Sequence, residues 1–389
     1  MPPGSPTVTR LIETTDRGLY CAAGGFYIDP WRPVDRAVVT HAHSDHASPG
    51  SKSYLSSQEG MGVLRRRLPE DARIETLAYG QATVIGDARV SLHPAGHLLG
   101  SAQVRVEAKF DGRTRIEVVS GDYKLDGQHA SASGSDSAVT SGGTTGGDPT
   151  CTPWEPVACD RFITESTFGL PIYRWPPADR VFADMNHWWA DNQKLGRTSV
   201  VFAYALGKAQ RVLAGLDASL GPIVAHGSVR KLSEAYHEAG RALPDTILAT
   251  DRPAKELKGK AMVVAPPSVL GTTWLRRFAP YATAFASGWM QVRGNRRRRG
   301  VDRGFVISDH ADWPGLLEAV RLTGAQSVGA THGYTAVLAR YLREQGLHAD
   351  EIPTRFRGEA DDTPADTSSD TPTILSAADK PAESVEPSA

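Results

Sequence analysis

The sequence predicts an α/β protein whose polar, ligand-bearing loops leave the carboxyl ends of apolar strands. Three observations carry this. The stretch His41-Ala42-His43-Ser44-Asp45-His46 directly follows the apolar run 36–40. Asp122, Glu165, His310 and His332 each lie within a few residues of the end of another apolar run. From about Pro176 onward, helical patterns alternate with buried strands, the signature of a parallel sheet with crossover helices. Such folds gather ligands and catalytic loops on the rim where strands end, so these positions are expected to share one site.

Taken in order, residues 1–8 show no periodicity and are expected to fray. The aromatic, glycine-rich text 19–33 predicts early strands and turns. After the 41–46 stretch, Ser56-Ser57 predict the N-cap of a helix running through Arg67. Segments 82–85 and 88–93 read as strands leading into Gly96-His97. Residues 104–106 and 116–118 alternate around Asp111-Gly112, which predicts a hairpin closed by a primed turn. Segment 127–148 is almost wholly Gly, Ser, Thr, Ala and Asp. It has too little apolar surface to offset its ordering entropy, so a flexible insertion is expected there, and its His129 is not expected to bind metal.

The strand 161–164 then ends at Glu165. A helix through Trp188-Trp189, the strand 199–204, a helix around 207–211, the strand 222–225, a helix near 235–241 and the strand 261–265 follow. Beyond the basic segment with Arg293 and the arginine run 296–299, strand-loop-helix units return at 305–307, before His310, and at 327–330, before His332. A last helix is expected over 336–345. From about 357 the chain reads as a disordered tail with eight acids against Lys380, so the near-neutral formal charge of −1 conceals a mildly basic body.

At 40% hydrophobic and 22% charged residues the composition is that of an ordinary globular protein. No run approaches the ~18 apolar residues of a membrane helix, and the N-terminus lacks an apolar leader, so a cytoplasmic protein without membrane contact is expected. Cys21, Cys151 and Cys159 are too few and too scattered for a disulfide framework or a thiolate zinc site, and are expected to be reduced.

His41, His43, Asp45 and His46 place four metal-capable side chains within six residues. Imidazole and carboxylate suit a divalent ion such as zinc. His93 is expected to pack beside the ligand loop without ligating; His187, His226, His237 and His348 are expected to be structural or solvated. Gly207-Lys208 lacks the upstream glycines of a P-loop and reads as a helix start.

With Gly96-His97 and Ser120-Gly121-Asp122, the HxHxDH stretch resembles the successive ligand motifs of metallo-β-lactamase-fold hydrolases. Glu165 in Thr-Glu-Ser-Thr-Phe-Gly, His310 in Ser-Asp-His-Ala-Asp and His332 in Thr-His-Gly resemble motifs A, B and C of the β-CASP nucleases. Gly-Leu-Tyr-Cys at 18–21, Pro-Ala-Gly-His-Leu-Leu-Gly-Ser-Ala-Gln at 94–103, Tyr-Ala-Leu-Gly-Lys-Ala-Gln-Arg at 204–211, Ala-Ser-Gly-Trp-Met at 286–290 and Ile-Ser-Asp-His-Ala-Asp-Trp at 307–313 are similar to the bacterial ligase-associated DNA exonucleases. The resemblance covers residues 10–355.

The resemblance implies a metallo-β-lactamase αββα sandwich, residues 9–172 and 301–356, with an inserted α/β β-CASP cap over 173–300. It implies two Zn2+ ions, with Mn2+ as an alternative occupant. His41, His43 and His97 would hold the first, Asp45, His46 and His332 the second, and Asp122 would bridge them. Asp45 is also expected to serve catalysis directly, His310 to act as general acid and Glu165 to orient or charge its imidazole.

The expected activity is hydrolysis of DNA phosphodiester bonds by an exonuclease in repair or end processing, in association with an ATP-dependent DNA ligase and a helicase. An RNA-processing ribonuclease is the alternative, because histidine at the third motif resembles the RNA-acting members. A small-molecule metallohydrolase of thioesterase or lactamase type is a further one.

Overall fold

Short β-rich segments build the first half of the chain. The computed structural model describes residues 10–125 and 148–355. Strands β1 (Ile12–Thr15), β2 (Gly18–Cys21), β3 (Phe26–Ile28), β4 (Arg36–Val38) and β5 (Ser53–Ser57) precede helix α1 (Met61–Arg65) and β6 (Ile74–Leu77). They form one sheet in sequence order, antiparallel through β3 and parallel from there to β6. Next, β7 (Ala82–Ile85), β8 (Ala88–Pro94), β9 (Ala102–Phe110) and β10 (Arg113–Val119) make an antiparallel meander, and β11 (Arg161–Ser166) adds in parallel. Asp111 and Gly112 at the β9–β10 turn have φ of 48° and 73°, both left-handed as a primed turn requires.

The alternating segment folds as α2 (Ala178–Lys194), β12 (Thr198–Phe202), α3 (Lys208–Ala214), β13 (Ile223–Ala225), α4 (Gly227–Glu238), α5 (Ala254–Leu257), β14 (Met262–Ala265), α6 (Thr273–Arg276), β15 (Tyr281–Ala286), α7 (Arg293–Arg298) and β16 (Arg303–Phe305). Its strands form an all-parallel sheet in the order β13-β14-β12-β15-β16. The chain then returns through α8 (Trp313–Thr323), β17 (Ser327–Gly333), α9 (Thr335–Glu344) and β18 (His348–Glu351). There β17 pairs with β11, completing a seven-stranded sheet in the order β18-β17-β11-β10-β9-β8-β7.

The protein is thus a mixed α/β structure with three sheets. Inward side chains of the first two share one core, with Phe26, Val38 and Leu55 facing Leu92, Val104 and Ile163. Helices cover the outer faces: α8 and α9 lie on Val118, Phe162 and Val328, while α1 and α4 lie on Ala37 and Tyr54. The third sheet is buried on both faces, which is why its strands read as near-continuous apolar runs.

Several expectations are corrected. Ser56 and Ser57 belong to β5, and Ser57 Oγ receives the Gly60 N–H at 3.0 Å just before α1; β-pairing with β6 claims the serines that the cap reading assigned to a helix. The helix expected near 235–241 begins at Gly227, capped by His226, whose Nδ1 accepts from Ser228 N at 3.3 Å. Strand β18, which carries no apolar run, is set by its ladder to β17. Asp148 is buried and paired with Arg211, so it is no part of a flexible insertion. The rest of that insertion with His129, residues 1–8 and the tail beyond 355 lie outside the described residues. None of the three cysteines forms a disulfide among the described residues. No helix among the described residues is long and apolar enough to cross a membrane.

Candidate metal centre

Each candidate ligand is aimed by its own loop. After β4, Thr40 accommodates Gly121 so closely that a Cβ on Gly121, whose φ is +57°, would lie 2.6 Å from the threonine side chain. Gly96, at φ +71°, would place a Cβ 2.4 Å from the Lys124 carbonyl. Only glycine fits either position. The Gly-His at 96–97 and the Gly-Asp at 121–122 are therefore turns that bring His97 and Asp122 toward the 41–46 loop. His332, near the end of β17, has the left-handed φ of 53°, uncommon for a side chain of its size and of the kind that concentrates at functional sites.

Of four groups of possible donors among the described residues, two are built from the expected ligands, His41, His43, His97 and Asp122 in one and Asp45, His46 and His332 in the other; the remaining two, His97 with Asp309 and His310 and Asp122 with Glu165 and His310, both include His310. Within the first, His41 Nε2 and His97 Nε2 lie 3.1 and 3.2 Å from His43 Nδ1. A tetrahedral site with metal–nitrogen bonds of about 2.0–2.1 Å has ligand–ligand edges of roughly 3.3–3.4 Å, so these nitrogens sit close to a zinc-like spacing. Asp122 Oδ2 lies 3.5 Å from His41 Nε2 and 3.5 Å from His46 Nε2, between the two groups. His46 Nε2 is also 3.5 Å from Asp45 Oδ2, and the His46 and His332 rings stack with centroids 5.2 Å apart.

The far nitrogens of these rings are engaged by the protein, which fixes the ring orientation as in metal sites generally. His46 Nδ1 meets Asp29 Oδ2 at 2.7 Å, His97 Nδ1 donates to the Asp309 carbonyl at 2.8 Å, His41 Nδ1 is 3.1 Å from Thr40 Oγ1, and His43 Nε2 is 3.3 Å from the Leu206 carbonyl. Asp29 also accepts from Thr40 N and Oγ1.

Electrostatics favour a cation here. Burial, then the nearby His46, holds His41 well below the ordinary imidazole range, and burial likewise depresses His97 and His332. These rings are neutral lone-pair donors, the form a metal requires. His46 behaves oppositely: burial opposes its charge, but Asp45, Asp122 and Asp29 raise it well above its ordinary value. Although burial resists ionisation of Asp122, His46 and His310 keep it well below the usual carboxylate range. The buried donors, their spacing and the carboxylate between the groups could hold metal ions; the donors specify neither which ion nor how many.

Beside this cluster, His310 Nδ1 is 2.8 Å from Glu165 Oε2, and Glu165 Oε1 accepts from Tyr123 N at 2.9 Å. Both side chains are almost fully buried. Burial works against charge on His310, but Glu165 and then Asp122 outweigh it and push its pKa up to about 9. Asp122 Oδ2 is 4.0 Å from His310 Nδ1, so the pair adjoins the shared carboxylate. His41, His43, His46, His97 and Asp122 are buried, whereas Asp45 and His332 are only partly covered, so the cluster opens to solvent on their side.

All the predicted site residues, His41, His43, Asp45, His46, His97, Asp122, Glu165, His310 and His332, come together. His93 instead pairs with Glu155 at 2.8 Å, outside the cluster. Sequence reasoning missed Asp29, which sits in a turn with φ 45° and carries no local motif. It also missed the buried cations of α3. Lys208 Nζ is 2.9 Å from Asp309 Oδ1. Arg211 Nε is 2.6 Å from Asp148 Oδ2, and the guanidinium donates to the Ser308 carbonyl at 3.0 Å and to the Gly96 and His97 carbonyls at 3.4 Å. Both lie in the 204–211 stretch quoted for the resemblance, but nothing in its spacing showed that they are buried and paired.

A protein of Opitutus terrae named a probable DNA ligase is 33% identical to this chain over 337 residues. The match takes in 85% of this chain and 30% of that protein, so the chain corresponds to under a third of its relative. No family model matches the chain. Among solved structures, a protein of unknown function from Enterococcus faecalis V583 aligns with a TM-score of 0.50 at 13% identity, over 83% of this chain and 80% of that one. That likeness concerns the fold alone.

Proposed function

We propose that this chain is a two-metal phosphodiesterase acting on DNA, a nuclease of metallo-β-lactamase fold whose third sheet is a β-CASP cap. The observation that carries the reading is the Glu165–His310 pair set against Asp122, which places a protonated imidazole beside a carboxylate shared by two donor groups. The relative named as a DNA ligase supports DNA as the substrate context and a role beside a ligase.

His41, His43 and His97 would hold one Zn2+, Asp45, His46 and His332 the other, with Asp122 between them. When bound, such a pair lowers the pKa of water and neutralises phosphate charge in an in-line displacement. The residues supply the rest. Glu165 engages Nδ1 of His310, so proton exchange with substrate falls to Nε2. With its pKa near 9, His310 is protonated at neutral pH and can deliver that proton to the leaving oxygen. Partly covered Asp45 and His332 mark the side from which the phosphate approaches. On α7, Arg293 and Arg297 line a cavity of about 360 Å3 with Met290 and Gly304, a place for sequence-independent phosphate contact.

The test is digestion of end-labelled single-stranded DNA, duplex DNA and RNA by the purified protein with Zn2+ or Mn2+. We expect shortening of DNA, abolished by chelator and restored by metal. Preferential digestion of RNA would move the assignment to a ribonuclease; inertness toward all three, with turnover of a thioester or β-lactam, would replace it with a small-molecule hydrolase.

A further inference from the structure

Beyond His332 the metal centre opens into a cavity of about 620 Å3, a volume typical of sites for small organic groups. Its walls include Trp289, His332, Gly333, Tyr334, Pro353 and Thr354, and among the described residues no lysine, arginine, aspartate or glutamate lines it. Among the described lining residues a phosphate would find no cationic side chain, since His332 is held neutral. A flat, uncharged aromatic group would find two partly exposed rings.

The Trp289 ring is held from behind. Phe168 lies 4.7 Å from it between centroids and Tyr173 lies 5.7 Å away, edge-on. Ser287 Oγ accepts from Trp289 N at 3.2 Å and Asn295 Nδ2 donates to the Trp289 carbonyl at 2.9 Å, so the backbone is pinned on both sides of the ring. Phe168 in turn lies 5.9 Å from the His310 ring, which links the tryptophan to the proposed proton donor through one aromatic contact. Tyr334 lies 6.2 Å from Tyr173 between centroids, its ring tilted by 31°. The next residue, Met290, lines the cavity that carries Arg293 and Arg297. An aromatic, uncharged pocket therefore has the metal centre at one boundary and arginines on the adjoining segment.

We infer that Trp289, with Tyr334, is the stacking platform for an unpaired nucleobase of single-stranded DNA next to the phosphate being cut. This rests on the nuclease reading and narrows it, because a base inside a duplex is already stacked and paired and must leave the helix to enter such a pocket. Stacking on an aromatic face tolerates any base, so little sequence preference is expected.

The test separates binding from turnover. Binding of a fluorescein-labelled oligodeoxythymidine to the full chain is measured in chelator, for wild type, Trp289→Ala, Trp289→Phe and Tyr334→Leu. Trp289→Ala should weaken binding about tenfold, the scale of one lost base stack, while Trp289→Phe should stay within about threefold of wild type. Tyr334→Leu should weaken binding in the same direction. In turnover assays with metal, a single abasic residue is walked along the strand near the labelled end. Wild type should slow at one register, and Trp289→Ala should show no further loss at that register.

Equal binding by wild type, folded Trp289→Ala and Tyr334→Leu overturns the platform. So does an abasic penalty of the same size in wild type and Trp289→Ala. If no nucleic acid is cleaved by wild type, the nuclease reading fails, and the chelator binding series still decides the platform.

Discussion

Replacing Glu165 with glutamine keeps the side chain's shape and its acceptance from Tyr123 N–H but removes the charge 2.8 Å from His310 Nδ1. With the carboxylate, His310 has a pKa of about 9, raised from 6.5. The sign follows from the direction of the shift. A raised imidazole pKa would keep the proposed general acid loaded through neutral pH, and activity should be lost as pH rises through about 9; any stability it lends is likewise full below 6.5 and gone above 9.

Without Glu165 the basic limb of the rate profile should move toward about 6.5, the ordinary histidine value, with Asp122 holding back part of the shift. At pH 8 the protonated fraction falls from about 0.9 to as little as about 0.03, a loss of up to roughly 30-fold, whereas at pH 6 the loss is under about twofold. The assay is kcat/KM on a labelled oligonucleotide from pH 5.5 to 9.5 under saturating metal. A uniform loss at every pH, with the basic limb unmoved, would refute the claim that Glu165 acts by charging His310.

Other perturbations separate ligands from their neighbours. His310→Ala should retain its bound zinc, measured by atomic emission, while losing most turnover; a drop in zinc matching that of His43→Ala would make His310 a ligand. Asp29→Ala frees Nδ1 of His46, held at 2.7 Å, and should weaken metal binding by about 10- to 100-fold in chelator competition. Unchanged affinity would show that the carboxylate does not orient the ring. Arg211→Met breaks a buried ion pair and leaves Asp148 with the Thr150 hydrogen bonds and the more distant Lys124, so the unfolding midpoint in urea should fall by the equivalent of up to about 3–5 kcal/mol. A double-mutant cycle with Asp148→Asn should recover part of it, and strict additivity would mean the two are not coupled.

Much of the site was legible because its residues carry their own grammar. Four ligand types in six residues, glycines immediately before His97 and Asp122, and polar residues at strand ends are local features, and the Gly121–Thr40 approach gives the physical reason a glycine stands there. The Asp111-Gly112 turn was legible for the same reason, since few residues tolerate two successive left-handed positions. Elements without a local code were misjudged. Ser56 and Ser57 have the chemistry of a cap, but β6, some twenty residues on, supplies a ladder that outweighs it. Asp148 has the composition of its surroundings, and its charge is covered because Arg211 on a distant helix, with Thr150 beside it, stabilises the carboxylate.

By itself the sequence determined the alternation of strands and helices and the identity of the donors, because periodicity and ligand chemistry are properties of neighbouring residues. The tertiary structure decided which donors face one another, that Asp122 lies between the two groups, and that Glu165 raises His310. It also brought in Asp29, Lys208 and Arg211, whose partners lie 17 to 101 residues away in the chain. Coulomb interactions and hydrogen bonds at 3 Å depend on distance in space, and no spacing along a chain encodes that before the sheets have packed.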